Sequence, residues 1–304
     1  MGEYDSDREA GLAAGSSVFT LRSDFRPAPA QFDGCFTSIY SMSLEVHDGG
    51  VLVDYLQPEW ANIRFFAGNS PIASIGKTAI SGARFAATGP SALPCRFTLG
   101  SSRMWGIGFL PLGWARFFKV DASNFANLIC DGAAQPAFAK FDRLSGVLCN
   151  PEVHPDEQFA AIVAALDDLM HPTRDDAKIA RVHAAIVGSE HNSVHDLADA
   201  CAMSIRTLER VCLRYFGFAP KLLIRRQRFM RSLTNFMVKD ASRWTEAMDD
   251  HYHDQAQFTR EFREFMTMNP SEYAALEHPI LSSFMEARAR VWGSAAQTLD
   301  PPQR

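Results

Sequence analysis

The stretch from Ser193 to Leu233, SVHDLADACAMSIRTLERVCLRYFGFAPKLLIRRQRFMRSL, constrains the fold of this chain more than any other part. Its apolar residues recur at helical spacing and are interrupted at short intervals. Val194, Leu197, Ala198 and Cys201 mark one short helix, and Met203 ends it. Ser204 is placed to cap the next helix, its hydroxyl accepting from a free backbone N–H. Ile205, Leu208, Cys212 and Tyr215 line the inner face of that second helix, Gly217 stops it, and Pro220 suits the first turn of a third. Two short helices joined by a tight turn form a helix-turn-helix unit, whose second helix can lie in a major groove. With Leu208 inward, Arg206 and Arg210 stand one turn apart on the outward side, where guanidinium groups can reach guanine edges.

Charge points the same way. Between Ser204 and Arg231 stand Arg206, Arg210, Arg214, Lys221, Arg225, Arg226, Arg228 and Arg231, opposed within that stretch only by Glu209. A locally basic run in a chain of net charge -5 fits a phosphate-facing surface better than a protein that coats nucleic acid indiscriminately. The pattern then repeats. Trp244–Asp250 predicts a short helix, His251–Asp254 a turn, and Gln255–Phe265 a second helix that buries Phe258, Phe262 and Phe265 and leaves Gln255, Thr259, Arg260 and Arg263 outside. Pro270 and Tyr273 close the unit.

The segments L-A-x-x-C-x-x-S-x-R-T-L-E-R from Leu197, G-F-A-P-K from Gly217, D-Q-A-Q-F-T-R-E-F-R from Asp254 and N-P-S-E-Y from Asn269 occur in order at compatible spacing. Together they resemble the DNA-binding domain of AraC/XylS-family transcription regulators over roughly Asp196–Tyr273. The resemblance implies two helix-turn-helix units, joined by a linker helix at about Pro220–Phe236, entering successive major grooves on one face of double-stranded DNA. It implies Arg206, Glu209 and Arg210 on the first reading helix and Gln255, Ala256 and Arg260 on the second; beside them the outward face offers Thr259, and the basic run offers Arg214, Lys221 and Arg225 to the phosphates. Three departures stand out. His251 replaces the family's glycine in the second turn, Thr267 the glycine before the final proline, and Cys212 a large aromatic. A side chain in a turn that favours positive φ costs stability, so the second unit is expected to be bent or to read DNA weakly. Ala256 can touch a thymine methyl but cannot donate a hydrogen bond.

Upstream the period changes. Met42, Leu44 and Val46 alternate with polar residues, Asp48-Gly49-Gly50 follows, and Val51, Val53 and Tyr55 resume the alternation, which predicts a hairpin. Short apolar runs at Ile63–Ala67, Ile72–Ile75 and Cys95–Leu99 extend a β-rich region. The runs G-I-G-F-L-P-L-G-W-A-R-F-F and P-A-F-A-K-F resemble the cupin-like sensory domain of some of these regulators, which implies a sensing or dimerising module. Trp105, Phe109, Trp114, Phe117 and Phe118 either line an effector pocket or form ordinary core. From Pro155 the period is helical. The expected architecture is α+β with two domains: a lead-in at 1–30, a β-rich sensor or dimerisation domain at 31–150, a helical linker region at 151–190, an all-α DNA-binding domain at 191–280 and a C-terminal tail at 281–304.

Other classes lack support. At 304 residues and 47% hydrophobic, 21% charged, the composition is that of globular domains. The six cysteines are scattered without a C-x-x-C pair, which speaks against a disulfide framework or zinc site and for reduced thiols in a cytoplasmic, nucleoid-associated protein. The acidic start MGEYDSDREAGLAAG has no apolar core for a signal peptide, and Met104–Ala115 is too short to span a bilayer. His47 is the only histidine between Gln31 and Leu148, too few for a cupin metal site, and His251-x-His253 has no completing ligands. His195 and Asp196 read as helix start and surface. No nucleophile-elbow, P-loop or dinucleotide motif is present, so neither an enzyme nor a metal or organic cofactor is expected. Further expected partners are RNA polymerase, a small-molecule effector and a second copy of the chain. The rival readings are an interaction module that has lost DNA binding and a cupin-type enzyme.

Overall fold

The computed structural model describes residues 19–188, 191–238 and 244–302. The first eighteen residues of the expected lead-in, positions 189–190 of the linker region and 303–304 of the tail lie outside the described residues. Ten strands form two antiparallel sheets: β1 (Phe19–Arg26), β2 (Phe36–Val46), β3 (Leu52–Leu56), β4 (Ala61–Gly68), β5 (Ile72–Ile75), β6 (Thr78–Ser81), β7 (Phe85–Thr88), β8 (Cys95–Leu99), β9 (Ser102–Phe109) and β10 (Ile129–Asp131). One sheet has the order β1-β2-β9-β4-β7-β10 and the other β3-β8-β5-β6. Helices α1 (Pro111–Phe117), α2 (Ser145–Leu148), α3 (Pro155–Leu169), α4 (Asp176–Val187), α5 (Val194–Ala200), α6 (Ile205–Val211), α7 (Pro220–Val238), α8 (Trp244–Ala247), α9 (Gln255–Met266), α10 (Pro270–Ala274) and α11 (Pro279–Trp292) complete the chain. None is long and apolar enough, among the described residues, to cross a membrane.

The six-stranded sheet is buried on both faces. Tyr40, Met42, Leu44, Phe66 and Met104 pack toward the four-stranded sheet and meet Ile75, Phe97 and Leu99. Ile39, Ile63, Phe65, Trp105, Ile107 and Phe109 pack the other way, against Trp114, Phe117, Phe118, Phe141, Ile162 and Leu166. This is why MWGIGF is a continuous apolar run rather than an alternating one. The glycines in it make room: a Cβ on Gly106 would lie 2.2 Å from the Tyr40 ring, its partner across β2. Trp105, Phe109, Trp114, Phe117 and Phe118 are all buried in this helix-covered core.

The structure corrects several boundaries. The predicted hairpin does not form: β2 pairs with β1 and β9, and β3 pairs with β8 in the other sheet. The turn around Gly49 (φ 71°), where the Gly50 N–H donates to the Asp48 carboxylate at 2.9 Å, carries the chain from one sheet to the other. The edge of β2 that a hairpin would need is taken by β1, from residues read as lead-in. The 151–190 region divides rather than links: α3 joins the sheet core, with Trp105 Nε1 donating to Gln158 at 2.7 Å, whereas Ile179, Val182 and Ile186 of α4 join the core of α5–α10. That second core also takes in Trp60, Leu110 and Ala115 from the β-rich half, so the halves meet over apolar surface. The expected tail contains α11, with Arg288 fully buried.

Candidate nucleic-acid interface

Each reading helix is set by its cap and its buried stripe. Ser193 caps α5, accepting from the Asp196 N–H at 3.1 Å, and Ser204 caps α6, accepting from Thr207 N at 3.3 Å. Between them the chain turns through Ala202 at φ 50°, a left-handed alanine with no signal in the sequence, and Met203 N donates to Ala198 O at 3.0 Å. Leu208, Val211, Cys212 and Phe216 are buried. Burial raises the pKa of the Cys212 thiol, so this small core plug stays protonated. After Val211 the helix widens into one π-helical turn, Cys212–Phe216, and ends at Gly217 with φ 86°. Only glycine suits that position twice over, since a Cβ there would also lie 2.4 Å from the Pro90 ring of the β-rich half.

In the second unit Asp254 accepts from Gln257 N at 2.6 Å, and the Gln257 side chain accepts from His253 N at 3.1 Å. The motif carries this cap as D-x-x-Q, a variant of the capping box in which the Gln257 oxygen reaches His253 N rather than the N–H of Asp254 itself. Phe258, Phe262 and Phe265 are buried as expected. His251 escapes the expected penalty: it is not among the described residues of positive φ, and its N–H and ring are held by Asp249 at 3.0 and 2.8 Å. Thr267 does carry the penalty, at φ 60°. The helix that closes this unit, α10, opens on a capping box between Asn269 and Glu272.

The structure places the candidate residues in two groups. Arg206, Glu209 and Arg210 on α6, Lys221 in the first turn of α7, and Gln255, Ala256 and Arg260 on α9 are exposed. Arg206, Arg210, Lys221 and Arg260 join none of the ion pairs among the described residues. Thr259 is half-buried, its hydroxyl donating to Gln255 O at 2.8 Å.

The rest of the basic run is paired or buried against the protein itself, although Arg214 stays exposed. Arg225 donates to Glu261 at 2.9 Å and is gripped by Glu264; Arg228 donates to Glu261 at 2.6 Å; Arg231 pairs with Asp249. Arg214 lies 3.5 Å from Asp121 of the β-rich half. Arg226 is wholly buried, its guanidinium 4.0 Å above the Trp60 ring and donating to Ser91 O at 3.0 Å, and burial lowers its pKa to about 9. Counting opposite charge only within 204–231 therefore overstated the free positive charge, because the opposing carboxylates come from α8–α9 and the β-rich half. Glu261 is the hub sequence reasoning missed: 4% exposed, it accepts from Arg225, Arg228 and, at 2.8 Å, the Tyr252 hydroxyl. The helical pattern places it next to the inward Phe262, which was the available signal.

A family model described as a helix-turn-helix domain matches residues 197–275. Residues 197–275 are an AraC-type helix-turn-helix domain. No curated protein sequence matches the chain. Among solved structures the chain is similar to ToxT from Vibrio cholerae, at 13% identity and a TM-score of 0.42 over 85% of this chain and 98% of that one. It is similar to unsaturated fatty acid-bound ToxT from strain SCE256 at 13% identity and 0.39, over 73% and 93%. To the AraC-like transcriptional activator CuxR the values are 13% and 0.23, over 70% and 86%. These likenesses are distant, and the assignment rests on the motif residues within the AraC-type domain. No group of three or more metal-ligating side chains occurs among the described residues of that domain or the rest of the chain.

Proposed function

We propose that the chain is a sequence-specific, DNA-binding transcriptional regulator and not an enzyme. Arg206, Glu209 and Arg210 of α6 and Gln255, Ala256 and Arg260 of α9 read base edges. Lys221 and Thr259 contact the backbone, as does Arg214 by exchanging its exposed pair with Asp121 for a phosphate, and these contacts carry most of the salt-dependent affinity. Arg225 belongs to the same set, but its phosphate contact requires an existing ion pair with Glu261 and Glu264 to open. The β-rich half senses an effector, and RNA polymerase and a second copy of the chain are the further partners this reading takes.

The observation that carries it is the sorting of charge. Arg225, Arg226, Arg228 and Arg231, buried or paired, hold α7 in place, whereas Arg206 and Arg210 on α6 and Arg260 on α9 are exposed and join no ion pair among the described residues. An interaction module that had lost DNA binding has no need to keep cations unpaired on both second helices. Selection of bound genomic fragments, followed by affinity measured across a salt series, tests the reading. A log–log slope of several units supports it; an affinity for the selected fragments no greater than for random duplex, with no dependence on salt, sinks it.

A further inference from the structure

The segment after the AraC-type domain folds back onto the β-rich half. It is fixed at three points by buried polar groups. At its start the Asp54 carboxylate of β3, fully buried, accepts from Ile280 N at 2.9 Å and Leu281 N at 2.8 Å, with His278 Nδ1 at 3.1 Å. Beyond the middle of α11, the buried Arg288 pairs with Asp300 and donates to Thr37 O of β2 at 3.2 Å. At its end Gln297 accepts from Asn62 of β4 at 3.2 Å. The same end touches the linker helix, where Gln227 of α7 donates to Thr298 O at 2.5 Å. One strap, 279–300, thus holds the sheets with one side and α7 with the other.

Under the strap lies an apolar cavity of about 100 Å³. The sheets supply Phe66, Phe97 and Met104, the strap supplies Ile280, Phe284 and Met285, and Met230 of α7 reaches it too. The Phe284 ring sits 4.8 Å from Tyr40 and 5.1 Å from Phe25. The one charged pair in the wall, Arg64 with Glu59 at 2.8 Å, is already matched, so the cavity asks for no charge from an occupant. An apolar cavity of roughly 150 Å³ holds benzene, so anything of two rings exceeds the space available while the strap is docked. The sheets are laddered across every wall strand, but the strap is attached at separate points. It is the wall that yields.

We propose that the C-terminal strap is a gate: a small, uncharged, mainly apolar molecule larger than a single ring occupies the cavity only by lifting the strap, and lifting it breaks the Gln227–Thr298 link and so loosens α7, which stays anchored to the β-rich half through Arg226. This rests on the sensor reading of that half and adds how its occupancy reaches the linker between the two helix-turn-helix units.

The test uses the full chain and 1-methylnaphthalene as probe, with 1-naphthoate as its charged counterpart. Hydrogen exchange is followed in peptides covering 279–300 and 220–238. Methylnaphthalene should raise exchange in both, and naphthoate should bind at least about tenfold more weakly. Asp54→Ala, which removes the first latch, should raise strap exchange without probe and tighten methylnaphthalene binding about tenfold, since less of the binding energy is spent on opening. Phe284→Ala makes room under a docked strap and should bind the probe with no rise in exchange, which keeps the test decisive if Asp54→Ala fails to fold. Probe uptake by the native chain with strap exchange unchanged, equal affinity for both probes, or no uptake by any of the proteins overturns the gate. Salt-dependent DNA affinity on the same proteins separates the two readings. Its absence sinks the DNA-binding reading and leaves the exchange result standing, and a failed gate leaves DNA binding standing.

Discussion

The two helix-turn-helix units share a pattern and differ in what holds them. The first is joined to the β-rich half by apolar burial: Phe216, Trp60 and His183 meet edge to face, with centroids 5.8 and 6.2 Å from Phe216, and Leu208 and Val211 complete the seam. The second is held to α7 partly by buried charge, with Glu261 between Arg225, Arg228 and Tyr252, and Asp249 between Arg231 and His251. Area tolerates imperfect neighbours, while a buried ion does not, because removing one partner leaves the other charge unsolvated. The first unit should therefore fail through lost packing or through protonation of His183 in its seam, and the second through loss of a single carboxylate.

Two truncations test that contrast most strongly. Phe216→Ala should cost about 3–5 kcal/mol, seen as a lowered urea midpoint and faster exchange in α4 and α6 as well as in the strand ends around Trp60. Glu261→Gln should cost about 3 kcal/mol or more, by leaving Arg228 buried beside a neutral amide, with the exchange increase confined to α7–α9. If Glu261→Gln loosens α6 as much as α9, the two attachments are not separate and the comparison breaks.

At the DNA, Arg210→Ala should weaken binding by about 1–3 kcal/mol and relax preference at one base pair, and Arg260→Ala should do the same at a site one turn away. Equal losses on specific and random duplex would make these backbone contacts and reduce the two units to electrostatic clamps.

Acid should separate the units in a defined order. Burial, with the Arg226 cation nearby, lowers the His183 pKa to about 3, so the folded state keeps this ring neutral. Its unfolded counterpart takes up a proton near pH 6.5. The neutral ring's contribution is therefore complete above about pH 6.5 and declines by up to about 1.4 kcal/mol per pH unit as pH falls toward 3. Asp249 behaves differently. Burial works against its charge, but Arg231 and His251 hold its pKa below the usual carboxylate value. Its contribution is present above that value and is lost only as pH falls through the depressed one. Unfolding monitored from pH 7 to 3 should thus weaken the seam of the first unit first, and His183→Gln should flatten the upper part of the profile. A profile unchanged by that substitution would remove His183 from the seam's pH response.

How much of this was legible depended on distance along the chain. Caps, turns and buried stripes are local, so Ser204, Gly217 and the Phe258–Phe262–Phe265 face could be placed from spacing alone. So could the outward Arg206, Arg210 and Arg260. What sequence periodicity could not supply was pairing. The alternation before Asp48 is real on β2, but on β3 the face is reversed, with Val51 and Val53 exposed and Leu52 and Asp54 buried, and the two strands belong to different sheets, because β1 competes for the same edge. The partners of Arg225, Arg228 and Arg231 lie in α9 and in the turn before it, and no local count of charge could show them. Arg288, a charged residue far along the chain, carried every sign of solvent exposure, and only the sheet beneath it, with Asp300, explains its burial.

The smallest expected effect returns to the turns. Ala202 in the first unit and Thr267 in the second both hold left-handed backbone, at φ 50° and 60°. A side chain there costs roughly 1–2 kcal/mol relative to glycine in the folded state, part of which the greater freedom of glycine in the unfolded chain takes back. Thr267→Gly should therefore stabilise by about 1 kcal/mol or less. At this position the hydroxyl returns only a bond to Met266 O, which solvent can replace. Ala202→Gly should gain a similar amount, with no hydroxyl to lose. The pair makes a control: if only Ala202→Gly stabilises, the Thr267 hydroxyl matters more than its backbone. If both do, each unit keeps a strained turn directly beside its reading helix, and strain is then a feature of the AraC-type domain here rather than of its weaker half. Differential scanning calorimetry on the two single variants and the double, which should be additive within about 0.5 kcal/mol for sites without shared partners, decides between them.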